Sequence, residues 1–205
     1  MATSTTQVYC LAVAEKTDSV VRILAAEQDL TSFSWLQRGS IAEFVNFFTK
    51  TVIERTPLGQ RAKIEEKELL GHVFIRADGL SCVMITKSTY PSRTAFSLLN
   101  RLADEFSSKF PQKSQWATMN PATTSPRYPE LKAHLTKAQD PESADPFMRV
   151  QKELDETKIV LHKTMESLLQ RGEKLDELVI KSDELSSASK VFYKTAKKTN
   201  SCCGY

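Results

Sequence analysis

Leu168-Leu169-Gln170-Arg171-Gly172-Glu173-Lys174-Leu175-Asp176-Glu177-Leu178 lies at the centre of a repeat that extends well beyond it on both sides. Steps of alternately three and four residues lead back from Arg171 to Leu168, Thr164, Leu161, Thr157, Leu154, Val150 and Phe147. The same steps lead forward to Leu175, Leu178, Ser182, Leu185, Ser189, Phe192, Ala196 and Thr199. Ten of these sixteen positions are apolar and five are small and polar. An apolar spacing of 3.5 residues kept over this length is a coiled-coil seam. As one helix, residues 147–199 would span roughly 80 Å at 1.5 Å per residue. They contain no proline, and Gly172 is their one glycine.

Arg171 is the charged member of the seam, bracketed by Leu168, Leu175 and Leu178. Burying a guanidinium is costly unless its donors find acceptors. Arginine has five donors and no acceptor, so suitable partners are carbonyl or carboxylate oxygens from neighbouring helices. A polar seam residue of this kind sets register and partner choice. The bland reading is an arginine that snorkels to the edge of an ordinary coiled coil. The chain has no second long helix to supply the acceptors, so they are expected from other molecules.

Residues 7–135 read differently. They hold both tryptophans and six of the eight prolines, in short segments. The boundary falls in Gln139-Asp140-Pro141-Glu142-Ser143-Ala144-Asp145-Pro146, a linker rich in helix breakers. The division is therefore a globular domain over 1–138, a linker over 139–146, a coiled-coil motif over 147–199 and a tail over 200–205. In the first unit, strands are expected over 7–14, 19–25, 61–66, 69–76 and 80–86, with Ala77-Asp78-Gly79 as a hairpin turn. A helix is expected to open at Ser40, capped by Ser40 and Glu43 in a capping box, with Ile41, Phe44, Val45, Phe48 and Val52 on its buried stripe. A second helix follows Pro91 over 92–109 with Ala95, Leu99, Leu102 and Phe106 inward, and a short one lies near 129–135. This order predicts an α+β layer fold, an antiparallel sheet covered by helices.

The centre of the repeat resembles that of an R-type SNARE motif. Asp145-Pro146, Glu153-Leu154-Asp155-Glu156-Thr157-Lys158 and Phe192-Tyr193-Lys194-Thr195-Ala196 resemble the lipid-anchored longin R-SNAREs. So do Phe33-Ser34-Trp35-Leu36-Gln37-Arg38, Glu43-Phe44 and Tyr90-Pro91-Ser92-Arg93-Thr94-Ala95-Phe96 in the first unit. The likeness covers nearly the whole chain. It implies a longin (profilin-like) domain with a five-stranded antiparallel sheet between helices, followed by one long SNARE helix. It implies that Arg171 is the central ionic layer of a four-helix bundle with three Q-SNARE helices, and that the bundle drives vesicle fusion, in ER to Golgi transport among other steps. It places the protein in the cytoplasm and on the cytosolic face of Golgi, ER-derived vesicle, endosome or vacuole membranes.

The family pattern ends in Cys-Cys and a tripeptide, with the second cysteine prenylated and the first acylated. Here the order is Asn200-Ser201-Cys202-Cys203-Gly204-Tyr205, with two residues after Cys203 and three after Cys202, so neither matches a C-a-a-X signal well. Two readings stay open: prenylation of Cys202 or of both cysteines by a variant route, or a form without prenyl that is acylated or soluble. Lys194, Lys197 and Lys198 could attract anionic lipid, or simply complement a helix end.

Ile159, Val160, Leu169, Val179 and Ile180 are apolar but off the seam. Either they broaden the core stripe, or the motif folds back onto its own longin domain, with Phe44 and Phe47 helping to form the receiving groove. The closed form would hide the seam and any attached lipid.

Other classes are disfavoured. A net charge of +3 gives no nucleic-acid footprint. No run of about 18 apolar residues suggests a membrane helix. Neither a phosphate-binding glycine loop nor metal-ligand spacing occurs, so neither an enzyme nor a metal protein is expected, and no cofactor beyond covalent palmitoyl or prenyl lipid. Cys10 and Cys82 read as small core residues. The alternatives kept are a longin-type adaptor and an inhibitory, non-fusogenic SNARE.

Overall fold

The computed structural model describes residues 6–66, 68–141 and 158–201, with side chains to residue 197. Strands β1 (Val8–Lys16) and β2 (Val21–Gln28) form a hairpin, followed by helix α1 (Arg38–Arg55). Strands β3 (Arg61–Glu66), β4 (Leu69–Ile75) and β5 (Leu80–Lys87) precede helix α2 (Ser92–Lys109). Two single turns, α3 (Lys113–Trp116) and α4 (Pro121–Thr124), lead to helix α5 (Pro129–Ala138). The second half supplies β6 (Ile159–His162), a 3-10 turn (Glu166–Leu168), α6 (Leu175–Lys181) and α7 (Ser187–Ser201).

The sheet order is β2-β1-β5-β4-β3-β6. The first five strands pair antiparallel. The expected five-stranded sheet therefore gains a sixth strand. β6 comes from the coiled-coil half and runs parallel to β3, from Arg61↔Ile159 to Ile64↔His162.

Alternation along the strands builds two cores. In β1, Leu11 and Val13 face α2 and α5, while Cys10, Ala12 and Ala14 face α1. On the α2 side, Ala95, Leu99, Leu102 and Phe106 are completely buried, as their spacing predicts. On the α1 side, Val45, Val52 and Ile53 are buried with Ile64, Val73 and Ile85, and Met165 and Leu168 of the second half join them. Cys10 and Cys82 are both buried, on opposite faces, and burial pushes each thiol up to about 12. Buried thiols of this kind are inert.

The expected turn at Gly79 forms with φ +90°. A Cβ there would lie 2.4 Å from the Lys16 carbonyl oxygen, and the Gly79 carbonyl accepts the Lys16 N–H at 2.8 Å. Glycine meets both the backbone angle and the close approach. The Lys16 ammonium donates to the carbonyls of Ile53, Glu54 and Thr56, which are left over at the C-terminal end of α1.

Two sequence expectations are corrected. Helix α1 begins at Arg38 with Gln37 as its N-cap residue and no side-chain cap, so the Ser40–Glu43 capping box is not formed. The Glu43 carboxylate has a partner elsewhere, described below. Residues 158–201 do not form one long helix. They alternate strand, 3-10 turn, short helix and longer helix along α1 and the β3 edge. A straight helix exposes one stripe, whereas the broken path buries apolar side chains from several faces. Met165, Leu168, Val179 and Leu185 are all 8 % exposed or less.

Candidate functional site

Helix α1 has two working faces because phenylalanines recur at Phe44, Phe47 and Phe48. Val45, Phe48, Thr49 and Val52 turn toward the sheet. Phe44, expected on the buried stripe, is instead half-buried on the outer face with Phe47, and the two rings meet edge to face with centroids 6.4 Å apart and planes at 80°. Tyr193 of α7 stacks on Phe44 at 5.5 Å and 21°. Phe47 lines an open cleft of about 370 Å³ with Lys50, Thr51, Arg55, Leu178 and Ser182.

The second half is attached to this surface in steps. β6 uses the free edge of β3. The Met165 N–H donates to Glu66 at 3.0 Å, and Met165 and Leu168 enter the α1-side core. The chain then turns at residues 170–173, where the Glu173 N–H donates to the Gln170 carbonyl at 3.0 Å. Glu173 uses both carboxylate oxygens: one accepts from the Gln170 N–H at 2.9 Å and the other from Arg55 at 2.8 Å. In α6, Val179 is buried and Leu175 and Leu178 are half-buried.

Polar contacts hold α6 and α7 together and to α1. Asp176 accepts from the Tyr193 hydroxyl at 2.8 Å and from Lys197 at 2.5 Å. Those two hydrogen bonds, Lys197 first, hold its carboxyl below the usual carboxylate range. Lys190 donates to the Ile180 carbonyl at the end of α6. Glu184 pairs with Lys50. Glu43 accepts from the Ser186 N–H at 2.7 Å, and that bond, with the Ser189 and Ser186 hydroxyls, lowers its pKa. An acidic group is well placed just before α7, where unpaired N–H groups and the helix dipole favour negative charge.

The seam residues are divided by this arrangement. Leu168 and Leu185 are buried. Leu175, Leu178, Phe192 and Ala196 are half-buried, Leu161 is 51 % exposed and Arg171 is exposed at the 170–173 turn. Phe147, Val150 and Leu154 lie outside the described residues, as do Cys202 and Cys203. Of the off-seam group, Val179 is buried, Val160 and Leu169 are half-buried, and Ile159 and Ile180 are exposed at 38 % and 53 %. Ile180 therefore does not contribute the buried contact expected of it. Sequence reasoning missed Met165, Asp176, Tyr193 and the Glu43–Ser186 and Arg55–Glu173 pairs. Met165 is a large apolar residue beside the small seam position Thr164, which was a usable signal; Tyr193 and the polar pairs had none.

No helix of the described residues is long and apolar enough to cross a membrane. Among them no cluster of three or more His, Cys, Asp or Glu could hold a metal ion.

Both units have known counterparts. Residues 30–130 match the Longin family, a regulated-SNARE-like domain, and residues 146–202 match the Synaptobrevin family. The chain is 52 % identical to the synaptobrevin homolog YKT6 of Debaryomyces hansenii over 180 residues, 88 % of this chain and 90 % of that one. It is 50 % identical to the synaptobrevin homolog ykt6 of Schizosaccharomyces pombe over 197 residues, 96 % and 98 % of the two chains. With the Yarrowia lipolytica homolog YKT6 the identity is 51 % over 180 residues, again 88 % and 90 %. A longin domain, a seam centred on an arginine and this degree of identity together make the chain a longin-domain R-SNARE of the synaptobrevin family, whose role is in vesicle fusion.

Proposed function

We propose that the chain contributes the arginine helix to a four-helix bundle with three Q-SNARE helices, and that the folded-back arrangement of residues 158–201 is its autoinhibited form. One observation carries this reading: Leu168 and Leu185, two of the seam leucines that a bundle would bury, are already buried in contacts within the chain. The same side chains cannot fill both cores, so the two states exclude each other. Fully burying a leucine is worth about 1.5–3 kcal/mol, so the closed form competes directly with assembly. In the bundle Arg171 would enter the central layer and be met by glutamine carbonyls. In the closed form it stays in water and needs no such partners.

On this reading the chain is anchored by palmitoyl or prenyl lipid on Cys202 or Cys203. It acts at Golgi, ER-derived vesicle, endosome or vacuole membranes. Zippering from residue 147 toward residue 199 would draw the bilayers together. A single acyl chain holds a protein only marginally at a membrane, so two modifications matter.

The test is assembly of the full chain with three soluble Q-SNARE helices, followed by light scattering or native gel, for wild type, Phe47→Glu and Arg171→Gln. Phe47→Glu should assemble faster and Arg171→Gln should form a less stable or less selective complex. Equal behaviour of all three would reject the reading in favour of a tether. Assembly without lipid mixing by the lipidated protein would identify an inhibitory SNARE.

A further inference from the structure

The two states proposed above make opposite demands on the residue after Arg171. In the closed arrangement Gly172 has φ +95°, the left-handed region. It follows Arg171 in a turn closed by the Glu173 N–H to Gln170 carbonyl bond at 3.0 Å. A positive φ at the third residue is the mark of a type II turn, and glycine is its usual occupant. In a bundle helix the same position would need φ near −60°, where glycine is among the poorest residues.

Packing does not call for glycine here. A methyl group at Gly172 would meet no atom within 4 Å, in contrast to Gly79, which faces the Lys16 carbonyl. The requirement is for the backbone angle alone. The turn is also fastened to the longin domain, because Glu173 bonds the Gln170 N–H and Arg55 of α1 at once. Without the turn, Leu168 could not lie in the α1-side core while α6 departs toward Phe47 and Val179 is buried.

We propose that Gly172 is the hinge of the conformational switch, a residue used for its left-handed conformation in the closed form and tolerated as a poor helix former in the open one. The proposal rests on the closed and open states of the preceding section. An L-residue with a Cβ loses the left-handed angle and gains helix propensity, so one substitution weakens the closed form and favours the bundle. Asparagine, which enters the left-handed region far more readily than alanine, should retain most of the closed form.

The experiment is hydrogen exchange of residues 175–197 in the full-length, unassembled protein, read by mass spectrometry for wild type, Gly172→Ala, Gly172→Asn and Phe47→Glu. The left-handed penalty predicts about five- to thirty-fold faster exchange in Gly172→Ala. Gly172→Asn should lie close to wild type, and assembly with Q-SNARE helices should be faster for the alanine variant. If Gly172→Ala protects as wild type does while Phe47→Glu exposes the segment, the hinge is rejected and the closed form stands. If residues 175–197 are unprotected in wild type and no variant alters them, the closed form and the hinge fail together. Equal loss of protection in Gly172→Ala and Gly172→Asn would also reject the hinge, since the angle would then not be the cause.

Discussion

Glu43 and Ser186 stand 143 positions apart in sequence, yet the Glu43 carboxylate accepts the Ser186 N–H at 2.7 Å. A longin-domain helix thereby satisfies an N–H just ahead of the helix that carries the last layers of the SNARE motif. Glu43→Gln keeps the shape and removes the charge. Exposed charge-assisted bonds exceed neutral ones by roughly 0.5–1 kcal/mol. Exchange of the first amides of α7 should rise two- to fivefold by that estimate, while α2 amides stay unchanged. Unaltered α7 exchange would show the contact to be energetically idle.

The same contact predicts a pH dependence. Glu43 and Asp176 both have lowered carboxyl pKa values, through the Ser186 N–H for the first and Lys197 for the second. A carboxylate with a depressed folded-state pKa contributes its stability above its unfolded value, about 4. That contribution fades as pH falls through the lowered folded value. Protection of α6 and α7 should therefore be constant from pH 7 to 5 and fall on acidification below about 4. Asp176→Asn combined with Glu43→Gln should flatten that fall, as measured by pulse-labelled exchange.

Tyr193 and Phe44 form the aromatic part of the same joint, stacked at 5.5 Å. A double-mutant cycle with Phe44→Ala and Tyr193→Ala should return a coupling of about 0.5–1.5 kcal/mol, the range for aromatic pairs. The readout is the opening free energy of α7 from hydrogen exchange. Additive single effects would mean that the two rings touch without mutual stabilisation.

Two neighbouring serines should respond very differently to added charge. Ser189 is completely buried beside Ser186, whose hydroxyl is 3.1 Å away, whereas Ser187 is exposed. A carboxylate at Ser189 would be buried close to Glu43, and an unpaired buried charge costs several kcal/mol. Ser189→Asp should open the segment to limited proteolysis and Ser187→Asp should not. Equal cleavage of the two variants would contradict the burial. Phosphorylation of Ser189 should act in the same direction as the carboxylate.

Gly79 tests the longin domain itself. Alanine there must adopt φ +90° and place its methyl 2.4 Å from the Lys16 carbonyl oxygen. The left-handed angle alone costs roughly 1–2 kcal/mol, and the overlap adds to it. Thermal unfolding of the isolated variant should show a clear loss, on the order of 5–15 °C for a domain of this size. An unchanged Tm would mean that the hairpin reshapes freely.

Patterns with a short period were legible in the sequence. The apolar runs of β1 and β5 bounded by turns, the 3.6-residue stripe of α2 ending at Phe106, the glycine turn at Gly79 and the 3.5-residue seam around Arg171 each state a local geometry, and each needs only a few neighbouring residues to be read. Together they led to an α+β layer fold and a coiled-coil seam, and the likeness of longer segments to longin R-SNAREs added the family. The seam, however, describes the geometry that the motif adopts with other helices. It does not say what those residues do when the partners are absent. Tertiary structure decided that β6 pairs with the free edge of β3, that Leu168 joins the core under α1 while Leu185 is buried within the chain, and that Glu43 leaves its expected capping box for Ser186. These outcomes depend on contacts spanning roughly a hundred residues or more, where the gain is set by which surfaces meet. A sequence whose apolar residues lie both on and off a single stripe has two ways to bury them, and the fold of the neighbouring domain selects between the two.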